Sequence, residues 1–200
     1  DYSHSSGFYV GNWNSNVSSG AGYPEGNLEM DFYGGYKAAF GDFGIDVGGL
    51  YYYYPGTDLN GKKVKNGDLY IAGSWKFISL KYSRAVTDYF NAADTKGTGY
   101  WDLSANYDLG EGWGVNGHIG RLNVKNSSTL DYTDWKLGVT KDVSGYVVGL
   151  SYVDTNAQGN CSAGEFYCGS QTMDTTGAQV GSKSKDLGRG ITVLSVSKTF

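Results

Sequence analysis

The sequence lacks long apolar runs. No stretch approaches the roughly 18 apolar residues that a membrane-spanning helix needs, and the mean hydropathy is -0.40. These values argue against a helical membrane protein. Basic residues are also in deficit, since 16 Lys and Arg face 20 Asp and Glu and the net charge is -4. Because phosphate binding needs a basic face, we expect no nucleic-acid partner.

Cysteine and histidine are scarce, with 2 residues of each. Cys161 and Cys168 lie in one polar, Gly-rich segment, and such a pair indicates one local disulfide in an exported protein. No second Cys or His cluster accompanies them, whereas structural metal sites usually have four ligands. We therefore predict no metal and no cofactor. No signal peptide is visible in the sequence, which starts at Asp1, and we expect that the leader of an exported precursor has been removed.

Glycine and aromatic residues are abundant instead, with 32 Gly, 18 Tyr and 5 Trp. Alternation of apolar and polar residues recurs about ten times between turn signals, and no helical window is as strong. In one example, Trp101 and Leu103 oppose Asp102 and Ser104. The predicted strands are 7–14, 28–40, 43–54, 67–77, 78–88, 99–109, 113–124, 132–142, 145–155 and 189–200.

The predicted links between these strands alternate in length. Short links near 40–42, 77–78, 110–112 and 143–145 alternate with long links near 15–27, 55–66, 89–98, 125–131 and 156–188. Outer-membrane barrels have this asymmetry, with tight periplasmic turns and long outer loops. The pattern predicts one domain, residues 1–200, with a long outer loop at 156–188.

Alternation alone does not distinguish a membrane barrel from a soluble barrel, in which the apolar face points inward. Three features favour the membrane. The polar face is rich in Gly and Ser, aromatic residues cluster at strand ends as in interfacial girdles, and the last predicted strand ends in Phe200, which looks like an outer-membrane assembly signal. We predict an all-β fold, a transmembrane antiparallel up-and-down β-barrel in which Leu69, Trp101, Leu137 and Leu194 face outward.

Several segments resemble the TorF-like porin family of proteobacteria, outer-membrane proteins of poorly defined function. They are SGFYVGNWNSNV (6–17), EMDFYGGYKAAFGDFGIDVGGLYYYYPG (29–56), YTDWKLGVTKDVSGY (132–146) and the closing VSKTF (196–200). The resemblance implies a Gram-negative outer membrane, with lipid, lipopolysaccharide and the assembly machinery, through the C-terminal strand, as partners. It also implies about one more N-terminal hairpin, so that the whole protein has about twelve strands and this chain about ten. A barrel of ten strands is also allowed, because outer-membrane barrels have an even number of strands.

The polar face supplies the predicted lining of the lumen. Its members are Glu29, Asp31, Lys37, Asp46, Asp68, Lys76, Lys81, Asp102, Asp108, His118, Asp134 and Lys136. We expect an acidic outer vestibule above a mixed-charge constriction, and hence passive passage of small solutes. The alternative is that these charges pair and plug a narrow barrel, which would leave a structural or surface-binding role involving loop 156–188.

A catalytic role has little support in the sequence. His4 lies in a predicted turn, and His118 lies in a predicted strand with Ser104 and Asn106 on the neighbouring one. A triad needs a base within hydrogen-bond reach of a nucleophile, and a lone inward His is more typical of a structural hydrogen-bonding partner. We predict that the protein is not an enzyme.

Overall fold

The computed structural model describes residues 1–170, 172–181 and 183–199. The fold is all-β, and its main feature is an antiparallel sheet of eleven strands in the order β1-β2-β3-β4-β5-β6-β7-β8-β9-β10-β15. Every strand from β1 to β10 thus pairs with its neighbours in the sequence. The strands of this sheet are β1 (Tyr2–Ser3), β2 (Phe8–Asn16), β3 (Leu28–Phe40), β4 (Phe43–Tyr53), β5 (Lys65–Trp75), β6 (Ile78–Ala85), β7 (Gly99–Gly110), β8 (Trp113–Asn123), β9 (Tyr132–Val143), β10 (Tyr146–Thr155) and β15 (Ile191–Ser197).

Each of the ten predicted strands is confirmed, with shifts at some of the ends. The segment predicted at 67–77 is β5 and ends at Trp75, so Lys76 lies in the following turn and not in a strand. The segment predicted at 78–88 ends at Ala85, where the chain leaves the sheet. The additional strand β1 pairs Tyr2 with Val10.

Tight turns join the strands at one end of the sheet. In two of these turns both residues have positive φ. The values are 51° and 77° for Glu111 and Gly112, and 55° and 83° for Ser144 and Gly145. Two-residue turns of this kind match the right-handed twist of the flanking strands. They set the register of the β7–β8 and β9–β10 hairpins.

The two faces of the sheet differ sharply in polarity. On the apolar face, Leu69 is 58%, Leu137 60% and Leu194 73% exposed. On the polar face, Asp31 is only 9% exposed. The sheet is curved, because polar-face side chains from β2 to β9 line a single cavity. The apolar face is therefore the convex face and the polar face the concave one.

The loops opposite the tight turns come together at one rim. The connection after β10 contains the short strands β11 (Cys168–Gly169), β12 (Thr172–Met173), β13 (Gln179–Val180) and β14 (Lys185–Asp186). This connection contacts the loop after β2, where the Ser19 and Thr172 hydroxyls lie 2.9 Å apart. It also contacts the loop after β4, where the Asn60 N–H donates to the Thr175 carbonyl at 2.7 Å. The sheet is thus rolled far enough for its last loop to reach its first loops.

The two edges of the sheet are β1 and β15, and no pairing joins them in the part of the chain that the structure describes. The predicted disulfide is confirmed, since Cys161 and Cys168 are bonded with a Cα–Cα distance of 5.0 Å. None of the helices among the described residues has the length and apolar character needed to cross a lipid bilayer. The predicted assembly signal, Phe200, lies outside the described residues.

Candidate functional site

Tyrosine rings lie flat across glycines on the concave face. Tyr9, Gly35, Gly48 and Tyr70 are register partners across strands β2 to β5. A Cβ atom on either glycine would lie 2.6 Å from a tyrosine hydroxyl oxygen, that of Tyr9 at Gly35 and that of Tyr70 at Gly48. The two hydroxyls meet each other, and the Tyr9 hydroxyl donates to Asp46 at 2.6 Å. The missing side chains of the glycines therefore make room for the rings.

A row of charges crosses the concave face next to these tyrosines. Successive register partners from β3 to β9 are Lys37, Asp46, Ala72, Lys81, Asp102, Gly120 and Asp134. We call this set the charged row. The Lys37 ammonium lies 3.7 Å from Asp46 and 4.3 Å from the centre of the Tyr9 ring. The row contains both signs of charge, and its role as a mixed-charge constriction stays a prediction.

His118 lies between two carboxylates of the charged row. Its Nδ1 is 3.4 Å from Asp102 and its Nε2 is 3.2 Å from Asp134. The Ser104 hydroxyl donates to Asp102, and Nδ1 of His118 has no hydrogen-bond partner among the described residues. The structure thus gives Ser104 a carboxylate partner, and no described hydrogen bond joins Ser104 to His118. The other histidine, His4, lies within hydrogen-bond distance of Ser6, 2.7 Å from Nδ1 to the hydroxyl oxygen, in an exposed turn. That the protein is not an enzyme stays a prediction.

An acidic cavity of about 570 Å³ lies between the sheet and the loop rim. We call it the upper cavity. Glu29, Asp31 and Asp68 line it, together with several tyrosines. Asn66, which is fully buried, donates to Asp68 at 2.8 Å. Oδ1 of Asp31 is buried and has no hydrogen-bond partner among the described residues. One residue that lines the cavity therefore carries an unsatisfied carboxylate oxygen.

Aromatic residues of the loops roof this cavity. The Tyr23 and Tyr54 rings stack at 4.2 Å, and Phe90 packs edge-on against Tyr54 at 6.0 Å. Burial raises the pKa of Tyr54, and the nearby Tyr23 and Glu29 raise it further. Burial likewise raises the pKa of Tyr89. Both phenols therefore stay neutral and can act as hydrogen-bond donors at physiological pH.

The structure distributes the residues predicted to line the lumen over several cavities. Six of them line the upper cavity, namely Glu29, Asp31, Lys37, Asp46, Asp68 and Lys81. Three of these, Lys37, Asp46 and Lys81, also line a second cavity of about 580 Å³, which we call the lower cavity and which includes Asp102. The two cavities therefore adjoin at the charged row.

The remaining predicted residues lie away from the upper cavity. His118 and Asp134 line a pocket beside loop 156–188, and Asp108 lines one near the tight turns. Lys136 is half-buried in β9, opposite His118. The prediction that Lys76 lies on a strand is wrong. Lys76 lies in the β5–β6 turn, and its ammonium nitrogen is 4.0 Å from a carboxylate oxygen of Asp42.

The prediction of site residues missed the tyrosines. Tyr52, Tyr54, Tyr89, Tyr100 and Tyr132 all line the upper cavity. One sequence pattern could have indicated them, namely a Tyr on the polar face of one strand with a Gly on the polar face of the next strand, as at Tyr100 and Gly120. No three His, Cys, Asp or Glu side chains within residues 1–170, 172–181 and 183–199 are placed to hold a metal ion together.

Comparison with known proteins identifies the family. Residues 1–197 match the family described as "Bacterial protein of unknown function (Gcw_chp)". The chain belongs to the Gcw_chp family. The narrower resemblance of this Gcw_chp protein to TorF-like porins stays a prediction. No curated protein matches the sequence.

One solved structure similar to this Gcw_chp protein is a porin refined at 1.8 Å resolution. The two chains are 21% identical, with a TM-score of 0.44 over 78% of this chain and 54% of the porin. The Gcw_chp chain thus spans about half the length of that porin.

Proposed function

We propose that this protein is an outer-membrane β-barrel of a Gram-negative bacterium that lets small solutes pass passively. The polarity of the sheet carries the proposal. Large apolar side chains are exposed on the convex face, as at Leu137 and Leu194, while carboxylates line the concave face. Soluble monomers rarely expose apolar patches of this extent, whereas a membrane barrel is apolar outside and polar inside.

Aromatic residues at the tight-turn end support placement in a bilayer. The ring centres of Phe43 and Trp75 lie 6.4 Å apart, and those of Phe77 and Tyr107 lie 5.1 Å apart. The ammonium of Lys141 lies 4.9 Å from the Trp113 ring centre. Rings with an adjacent lysine are typical of headgroup depth, where lysine can reach the interface.

A second group of aromatic residues lies towards the loop end. The ring centres of Trp101 and Tyr82 lie 4.5 Å apart, and those of Trp135 and Tyr152 lie 5.3 Å apart. The two groups would form the paired girdles of an outer-membrane barrel. On this proposal the partners are lipid and lipopolysaccharide on the convex face and the assembly machinery at β15.

Closure of the barrel is part of the proposal. It requires β1 and β15 to be joined, either directly or through further strands, and the resemblance to TorF-like porins implies about twelve strands in all. The contacts of loop 156–188 with the loops after β2 and β4 support closure, because this loop lies next to one edge of the sheet and the other two loops lie next to the opposite edge.

Passage would follow the upper and lower cavities, which share Lys37, Asp46 and Lys81. The test is conductance of the purified protein in a planar lipid bilayer. We expect discrete current steps, and we expect Lys81→Gln to shift the reversal potential in a salt gradient towards cation selectivity, since it removes a positive charge from the path. Lys65→Gln, on the convex face at the start of β5, is the matched control. Silence under voltage with intact loops would remove the transport proposal.

The second candidate is a closed barrel with a structural or surface-binding role. It is favoured by the pairing of Lys37 with Asp46 and by the contact of Tyr9 with Tyr70, which both occupy the concave face. A silent bilayer, combined with correct insertion into the membrane, would support this role. Enzymatic activity belongs to neither candidate.

A further inference from the structure

We propose that the upper cavity binds a small organic ammonium ion, which makes the protein selective for organic cations. This inference names the solute class of the proposed transport function and rests on it. Three features carry it: an unsatisfied buried carboxylate, an aromatic lining and the balance of charge.

Asp31 provides the anionic anchor. Its residue is 9% exposed, it lines the upper cavity, and its buried Oδ1 has no hydrogen-bond partner among the described residues. A buried carboxylate without a partner is costly. A ligand that brings a positive charge and an N–H or polarised C–H group would remove that cost.

Glu29 adds a second carboxylate on the same face of β3, two residues away, and Asp68 a third on β5. The described contacts place no Lys or Arg ion pair on any of the three. Two lysines of the charged row, Lys37 and Lys81, also line the cavity, and Lys37 pairs with Asp46. The upper cavity thus has an excess of negative charge that a cation can balance.

Aromatic rings favour an organic cation over a simple metal ion. Tyr52 is the register partner of Asp31 on β4, and the Tyr23–Tyr54 stack covers the cavity from the loops. Faces of aromatic rings attract alkylammonium groups through their quadrupoles, and such cages recognise quaternary ammonium ions. The volume of about 570 Å³ lies within the range of small-molecule sites.

Calorimetry on the full chain refolded in detergent tests the inference independently of conductance. The probe is choline, and the control ligand is 3,3-dimethylbutan-1-ol, its uncharged isostere. We expect heat from choline and none from the isostere. Asp31→Asn should weaken choline binding about tenfold or more, because a hydrogen bond or ion contact to a charged group is lost.

Matched variants separate charge, ring and fold. Asp108→Asn removes the same charge from the concave face but outside the upper cavity, and it should leave binding unchanged. Tyr52→Phe should retain binding, whereas Tyr52→Leu should weaken it about threefold or more through loss of the ring. Circular dichroism checks that each variant keeps its β structure.

Several outcomes would overturn the inference. They are equal binding of choline and its isostere, no choline binding at millimolar concentration, unchanged binding in Asp31→Asn, and Asp31-dependent binding of Ca²⁺ without choline binding. A conducting protein that ignores choline would lose this inference and keep the proposed function. A silent protein that binds choline would keep the binding site, and it would lose the proposed transport and the selectivity that depends on it.

Discussion

Alanine in place of Gly35 is predicted to destabilise the protein strongly. A Cβ atom there would lie 2.4 Å from the Val47 carbonyl oxygen and 2.6 Å from the Tyr9 hydroxyl oxygen. The carbonyl belongs to the backbone of the neighbouring strand, so relief requires β3 and β4 to separate. The ring of Tyr9 must also rise off the sheet.

The expected cost follows from these two movements. Overpacking of a fitted site costs about 1–3 kcal/mol. Displacement of Tyr9 also breaks its 2.6 Å hydrogen bond to Asp46, and a bond to a charged group contributes about 1.5–3 kcal/mol. Because the two effects overlap, we expect a loss of about 2–5 kcal/mol in the free energy of unfolding.

The assay is urea unfolding in phospholipid vesicles, followed by tryptophan fluorescence. Gly73→Ala, on the convex side of β5, is the control, since nothing lies within 4 Å of its added Cβ. It should be neutral, or stabilising by about 0.4–1 kcal/mol through the unfolded chain. Equal effects of the two substitutions would refute the reasoning.

A double mutant isolates the contribution of the hydroxyl. Tyr9→Phe removes the oxygen that a Cβ at Gly35 would meet, along with its bond to Asp46. Gly35→Ala should therefore cost less in the Tyr9→Phe background, with a coupling of about 1 kcal/mol or more. Strict additivity would show that the ring and the glycine are not fitted to each other.

Three further predictions test the membrane face, the loop and its pH dependence. Leu69→Lys should cost about 2–4 kcal/mol in vesicle unfolding, as for a lysine placed in hydrocarbon, whereas Ser79→Lys on the concave face should cost far less. Reduction of Cys161–Cys168 should speed proteolysis of loop 156–188 and leave the sheet signal in circular dichroism unchanged. Hydrogen bonds from Thr176 and from nearby backbone N–H groups lower the pKa of Asp174 below its ordinary value of 3.8. Because the folded-state pKa is lowered, the ionised Asp174 carboxylate stabilises the β12–β13 turn fully above pH 3.8, and this stabilisation is lost as the pH falls through the lowered pKa. Faster hydrogen exchange of the Ala178 amide, which donates to Asp174, would report the loss.

The strands were predictable because one face of each had to differ from the other. A strand with period-2 polarity leaves few choices of position, since a slip of one residue exchanges its faces. The errors fell at the ends, where this constraint fades. Lys76 continued the alternation of β5 in the sequence, but the turn to β6 placed it at φ 51°.

The candidate site was predictable in composition and not in arrangement. The sequence indicated which charges face inward, but pairings such as His118 with both Asp102 and Asp134 depend on register across three strands. The roof of the upper cavity was out of reach, because it forms from loops far apart in the chain, as in the stack of Tyr23 on Tyr54. No local pattern specifies such a contact.

The glycines of the concave face link the fold to the proposed function. A barrel of ten to twelve strands is narrow, and inward side chains readily fill an interior of that size. A tyrosine that stands upright would occupy the centre, whereas Tyr9 and Tyr70 lie across Gly35 and Gly48 and keep close to the wall. The space left beside them is part of the upper cavity. On the proposed function, Gly35→Ala should therefore reduce single-channel conductance as well as stability, since the displaced ring would enter the path.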